Sequence, residues 1–390
     1  MAETTTSTNS GGDSEHGATS EAQPDVRRTS DPTEEIIDYA RKTYRYLRIA
    51  IVAMVLALIL SMIFEWLDAG DWLQSISAYY FTAVNPIFIG SLIMIGICLI
   101  AIRGTTDFED IVLNLAGIMA PVVALVPTAF PNGDYAGYLF KPDVDRLINN
   151  STLSLLVAAA LAVALAFWLA SRFSNQDISR AAIPVNTWIG LVLAAVLIAV
   201  LFMIFLAQGQ QAAHNAAAIG MFAGLWMVAT ENVVRYVTDD DGRRSPEAAL
   251  YAGIGGSLPL LGLALTIVGG WHLYTGENSA AVWLFITAAV SIALVLLSPE
   301  LVEGAGRFVA VLRAGDWYRR YYIMIAAWML VAGVAIPLLP VEWSHRTLYL
   351  ELLQLIPFGI FWLVQTIENW NQSVEHFDYR LEPSAPHAAA

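Results

Sequence analysis

Ten runs of roughly twenty mostly apolar residues follow one another along the chain, at 49–67, 86–102, 111–128, 151–170, 187–207, 214–230, 251–270, 280–297, 321–338 and 348–366. About 20 apolar residues are needed for a helix to cross the hydrocarbon layer of a bilayer. A membrane barrel would instead show short strands with alternating polarity. The pattern therefore predicts an all-α, polytopic transmembrane helix bundle of about ten spans. Residues 1–32 are polar and acidic and hold no apolar cluster, so they are expected to form a disordered cytoplasmic tail. Residues 33–370 make the helical membrane domain, and 371–390 a second cytoplasmic tail.

Composition sharpens this picture. Of the 390 residues, 57% are apolar and 14% charged, the net charge is −14 and the mean hydropathy is +0.58. Soluble domains carry nearer a quarter charged residues, and nucleic-acid binders present basic faces, so both classes are excluded. The single cysteine, Cys98, excludes a disulfide framework and cysteine-based zinc or iron–sulfur sites. No cofactor motif and no metal cluster is expected. Lysine is rare beside arginine and acids, a profile like that of salt-adapted organisms.

The cations fix a direction. If the amino terminus is cytoplasmic and all ten runs cross, Lys141, Arg146 and Arg346 are the outer cations and the other 17 of the 20 Lys and Arg residues lie inside. That asymmetry follows the positive-inside bias. It predicts a multi-pass protein of the cell (plasma) membrane with both termini cytoplasmic and the lipid bilayer as its main partner. Ser245-Pro246-Glu247 and Ser298-Pro299-Glu300 each read as a capped helix start. The second opens a stretch, 299–313, expected to lie along the inner interface. Trp66, Trp72, Trp271, Trp283, Trp317, Trp343 and Trp370 fall near predicted span ends, as an aromatic belt would.

Ionisable residues inside a membrane segment are costly and usually functional. The middles of all ten runs hold none, which disfavours an ion-coupled pump. Pro121, Gly255-Gly256, Pro259 and Pro357 are candidate bends within spans. At the outer boundary the segment Ser75-Ile76-Ser77-Ala78-Tyr79-Tyr80-Phe81-Thr82 is too polar to span and too aromatic for a free loop, so it is expected to dip into the interface. His214 opens the sixth run, and Glu351 and Gln354 share one face near the start of the tenth. The candidate outer pocket is Ser77, Tyr79, Tyr80, His214, Glu351 and Gln354. A metal site combining His214, His272 and His345 is disfavoured, because no two of them share a helix at ligand spacing. At the inner boundary Arg103, Asp110, Glu231, Arg235 and Glu368 are expected to form a structural charge network, with Glu231 and Arg235 paired four residues apart. Gly220-Met221-Phe222-Ala223-Gly224 offers a small-residue face for close helix contact.

Three stretches resemble a widespread group of uncharacterised prokaryotic membrane proteins, broadly DRAM-like, with about six helices. The first is Ser75 to Thr82 with its S-x-S-A-Y-Y core, continuing to Phe88-Ile89-Gly90, Arg103-Gly104, Leu115-Ala116-Gly117 and Ala124 to Thr128. The second is His214 to Ile219. The third is Glu351 with Phe358-Gly359 and Trp362-Leu363-Val364. Phe81, Asn85 and Phe361 depart from the group's pattern, which has His, Arg and Ser at or near those places, and 150–210 looks like an addition to a six-helix plan. The resemblance implies an integral membrane protein and no assigned reaction. The function expected is non-catalytic binding or movement of a lipid-like or apolar molecule, or a role as a membrane sensor or partner. A small-solute transporter with five-plus-five inverted repeats is the alternative, and an outward-facing lipid hydrolase the third.

Overall fold

A computed structural model describes residues 32–104, 106–126, 128, 135–139, 144–173, 185–234, 245–274, 278–313, 317–339 and 343–370. The described residues are helical and contain no strand. The helices are α1 (Pro32–Ala69), α2 (Asn85–Ala101), α3 (Asp107–Leu125), α4 (Val144–Phe173), α5 (Val185–Gln208), α6 (Gln210–Val234), α7 (Pro246–Tyr274), α8 (Asn278–Leu296), α9 (Pro299–Arg313), α10 (Trp317–Ala335) and α11 (Arg346–Glu368). The chain divides into a unit ending at Arg41 and a unit from Lys42 onward; the described part of the first is the opening of α1. Everything below concerns the second unit.

Each of the ten apolar runs lies on a helix. Seven of these helices, α1, α3, α4, α5, α6, α7 and α11, are long and apolar enough to cross a membrane. The apolar helix α2 is 17 residues long. The α8 run meets α9 at an angle of 95° and passes the same test only when the two are taken together. That sharp bend turns 299–313 away from the axis of α8. Both expected serine caps are present, with Ser245 Oγ accepting from Ala248 N at 3.2 Å and Ser298 Oγ from Leu301 N at 3.3 Å.

Close packing rests on residues without side chains. Gly96 of α2 and Gly117 of α3 face each other so tightly that a Cβ on either would stand 2.7 Å from the other's carbonyl oxygen. Between α7 and α9 a Cβ on Gly255 would stand 2.3 Å from Leu301 O and one on Gly304 2.1 Å from Tyr251 O, and Gly256 accommodates the Phe308 ring. Gly255-Gly256 and Pro259 were candidate bends or breaks; α7 runs as one helix through them, and the missing Cβ atoms of the glycines admit a neighbouring helix. Pro121 and Pro357 likewise lie inside continuous helices. The small face Gly220–Gly224 is filled from within the chain, by Met119, Ala116 and Val112 of α3. His214 does not open its helix, because α6 begins at Gln210 directly after Gly209, whose positive φ of 85° lets α5 end and α6 start at one residue.

The core gathers around α2, α3, α6, α10 and α11, with Phe88, Leu99, Leu113, Tyr322 and Trp362 fully enclosed. The outer faces of α4 and α5 present Leu161, Leu165, Trp168, Val196, Met203 and Leu206 outward, an apolar surface suited to lipid. Replacing Gly117 by Leu is expected to lower stability by about 1–3 kcal/mol through overpacking. Gly90→Ala, whose Cβ meets nothing within 4 Å, should leave it unchanged or slightly higher. Thermal unfolding of both variants in one detergent checks the contrast.

Candidate functional site

The segment between α1 and α2 is held by many hydrogen bonds at one end of the bundle. Residues 75–82 are all buried, and Ser77–Phe81 wind into a single 3-10 turn. Hydroxyl side chains satisfy the turn's own backbone: Ser75 Oγ accepts from Ala78 N, while Thr82 Oγ1 donates to Tyr79 O and accepts from Val84 N. Ser and Thr make such local bonds readily, so this polar sequence folds back on itself and does not extend. Around the turn, Tyr80 packs edge-on against Phe81 and Phe88.

Neighbouring elements then stitch the segment in place. The first N–H groups of a helix lack partners within it. Near the start of α11, Leu348 N donates to Gln74 O at 2.8 Å. His345 Nε2 bonds the carbonyl of Trp72 at 2.9 Å. Glu351 Oε2 accepts from Ile76 N at 2.5 Å and also interacts with the Ser77 hydroxyl. From α6, His214 Nε2 lies 2.9 Å from Ser77 Oγ, and its Nδ1 lies 2.5 Å from the carbonyl of Val126, at the end of α3. Ser77 and His214 are 1% and 2% exposed, whereas Glu351 is half-buried.

The hydrogen positions follow from chemistry. A carbonyl can only accept, so His214 Nδ1 carries a hydrogen toward Val126. In the neutral ring Nε2 is then an acceptor, and the single Ser77 hydrogen has two acceptors in reach, Nε2 and the Glu351 carboxylate. The acid, however, stands on the serine side. In a serine–histidine–acid relay the carboxylate orients the far ring nitrogen. Here a backbone carbonyl does that, and Glu351 meets the serine and its neighbouring amide instead.

The other expected pocket residues go elsewhere. Tyr79 OH accepts from Leu73 N at 3.3 Å, and burial pushes its phenol up to about 12, so it stays neutral at any ordinary pH. Close by, Tyr135 donates to Glu65 of α1 at 3.4 Å. Tyr80 contributes its ring to apolar packing. Gln354 turns to α10 and donates to Met329 O at 2.8 Å, because a residue three positions along α11 faces a different neighbour once that helix is packed on two sides. Of the six candidates, the fold brings together Ser77, His214 and Glu351. His345 is engaged by Trp72 and Ser344 while His214 is held by Ser77 and Val126, so the histidines serve separate contacts.

At the opposite end of α6, about 25 Å along the helix by its rise per residue, lies a second buried polar layer. Its described bonds run mainly through amides and hydroxyls. Gln365 Nε2 donates to Asn232 Oδ1 at 3.2 Å, Asn232 Nδ2 to Glu109 Oε1 at 3.0 Å, and Thr106 Oγ1 to Glu231 Oε1 at 3.2 Å. Tyr322 donates to Glu368, and Asp110 accepts from Gly104 N. Arg103 is exposed. Arg235, the expected partner of Glu231, lies outside the described residues.

Val126, Glu65 and Tyr135 at one end, and Thr106, Asn232, Gln365 and Tyr322 at the other, complete these clusters and were missed by sequence reasoning, whereas Glu109 belongs to the acidic inner boundary that the sequence shows. Thr106 alone had a readable signal, as a hydroxyl before the acidic opening of α3. No family model matches the chain, and no curated protein or solved structure is similar to it.

Removing the Ser77 hydroxyl leaves a buried histidine nitrogen without a partner, which costs about 1–3 kcal/mol. Ser77→Ala and His214→Phe are each expected to lower the unfolding temperature, and the double variant to fall by less than their sum. A double-mutant cycle by thermal unfolding reads this directly.

Proposed function

We propose that the protein is a ten-span membrane protein, with both termini cytoplasmic, that binds an apolar or lipid-like molecule at its outer end without chemical conversion. The observation that carries this reading is the enclosed state of the 75–82 segment. Its aromatic turn and the Ser77–His214 pair are shut off from water, and the helices around them present apolar faces outward. A ligand reaching this place arrives through an apolar wall, which selects for molecules already dissolved in the lipid. The few polar groups inside supply orientation, as in binding sites that are mostly apolar with a small set of fixed hydrogen-bonding partners. The charge asymmetry of the sequence supports the orientation, and the cell membrane as the location.

A lipid hydrolase has less support. The serine and histidine are within bonding distance, yet the acid stands on the wrong side of the serine, and the nucleophile is 1% exposed.

Photoreactive phospholipid or sterol probes, incorporated into vesicles with the full chain, are expected to crosslink to peptides spanning 72–84 and the first turns of α11 above the level seen on α4 and α5. Labelling spread evenly over the outward faces would sink the lipid-binding reading. A fluorophosphonate adduct on Ser77 would replace it with hydrolysis. For topology, reporter fusions after 370 and before 32 should both report the cytoplasm.

A further inference from the structure

The second buried layer contains a carboxylate that the outer-end reading does not use. Glu231 is 1% exposed and Glu109 2%, on facing helices α6 and α3. Glu231 Oε1 receives one hydrogen bond, from Thr106, and that hydroxyl in turn caps α3 by accepting from Glu109 N. Glu231 Oε2 receives none, and neither does Gln365 Oε1, although both oxygens are sealed from solvent. The bare oxygen of Glu231 points at Gly253 of α7, where a Cβ would stand only 2.0 Å away. The glycine thus leaves room for the oxygen without offering it a side-chain partner.

An ionised carboxylate is an acceptor with about four lone-pair sites to satisfy. Buried with one donor and one bare oxygen, it loses its hydration without replacement. A second carboxylate nearby compounds the problem, since two like charges in one enclosed site repel strongly. None of the described groups around Glu231 bonds its Oε2. From α3 the facing ionisable residue is Glu109, the charged group whose field acts on it. From α10 and α11, Tyr322 and Glu368 are bonded to each other. The α5 sequence carries no ionisable residue. Glu247 and Tyr251 of α7, with Glu300, Glu303 and Arg307 of α9, line a separate cleft.

We propose that Glu231, with Glu109 and Thr106, forms a proton-binding site between α3, α6 and α7, at the opposite end of the bundle from the Ser77 cluster. The proton resides on Oε2, the oxygen without a donor, and converts a bare charged acceptor into a neutral carboxyl that the apolar surroundings tolerate. Oε1 remains the acceptor for Thr106. Release of the proton requires water to enter beside Gly253, so occupancy is coupled to the packing of α7 on α6 and to the cap of α3. The ligand is the proton of the aqueous phase at this end of the bundle.

The test is pH-difference infrared spectroscopy on the full chain in nanodiscs of a zwitterionic phosphatidylcholine. A protonated-carboxyl carbonyl band is expected that disappears in Glu231→Gln and persists in Glu368→Gln. Gly253→Ala, which forces the oxygen to move, is expected to shift that band while the protein remains folded. A band unchanged in both Glu231→Gln and Gly253→Ala would overturn the proposal, as would the lack of any such band from pH 4 to pH 9 (about the range of perturbed carboxyls). Should Glu231→Gln fail to fold, the Gly253→Ala spectrum decides alone. Sodium and calcium chloride are titrated at fixed pH as a second arm. Loss of the band on adding either ion would mark a metal-cation site and overturn the assignment to a proton, whereas a band indifferent to both supports it.

Discussion

A polar group taken out of water inside a bilayer keeps its place only if another protein group meets it. The arrangement of this molecule follows from that constraint. Helices satisfy their own backbones through their middles, and there the chain is built from apolar side chains and glycine contacts. At the helix ends the backbone has unpaired donors and acceptors, and there the polar side chains collect. The Val126 carbonyl at the end of α3 and the Leu348 amide at the start of α11 both find partners in or beside the 75–82 segment. The segment is buried because its neighbours need what it supplies.

This explains why Ser77, His214 and Glu351 come together without forming a catalytic relay. The histidine is oriented by a helix-terminal carbonyl, and the acid is occupied by an amide of the turn. Each bond closes an open valence of the fold. The result is an end of the bundle whose polar atoms are already committed to one another. The opposite end is less complete. The Gln365–Asn232–Glu109 chain is linked by amide donors, but Gln365 and Glu231 each keep one oxygen bare. Unsatisfied buried groups in a native structure call for an explanation, and a bound proton supplies one here with the residues present.

Glycine has a different job from the one its spacing implied. Gly255 and Gly256 read as a weak point in α7, and Gly220–Gly224 as a face for another helix. The second expectation was right in kind, and the partner is α3 of the same chain. At the first, the helix is continuous and the missing side chains admit a neighbour, α9, which fills that space. Spacing marks where a helix surface is flat, but it does not say whether the flatness serves bending or contact.

The helices themselves were legible in the order of residues, because crossing a hydrocarbon layer requires long apolar runs and nothing else in protein structure produces so many of them. The serine caps of α7 and α9 were legible too, since they depend on residues next to one another in the chain; the burial of the 75–82 segment, where a dip into the interface was expected, was not. Partners were not. Glu351 and Gln354 share a helix face by spacing, yet one meets Ile76 and the other Met329. Ser77 meets a histidine 137 positions away, and Glu231 is answered by Thr106 and not by an arginine among the described residues. Local sequence determines which groups a helix offers. Only the packing of helices against each other decides which groups receive them, because that choice is made between segments whose separation along the chain carries no information about distance in space.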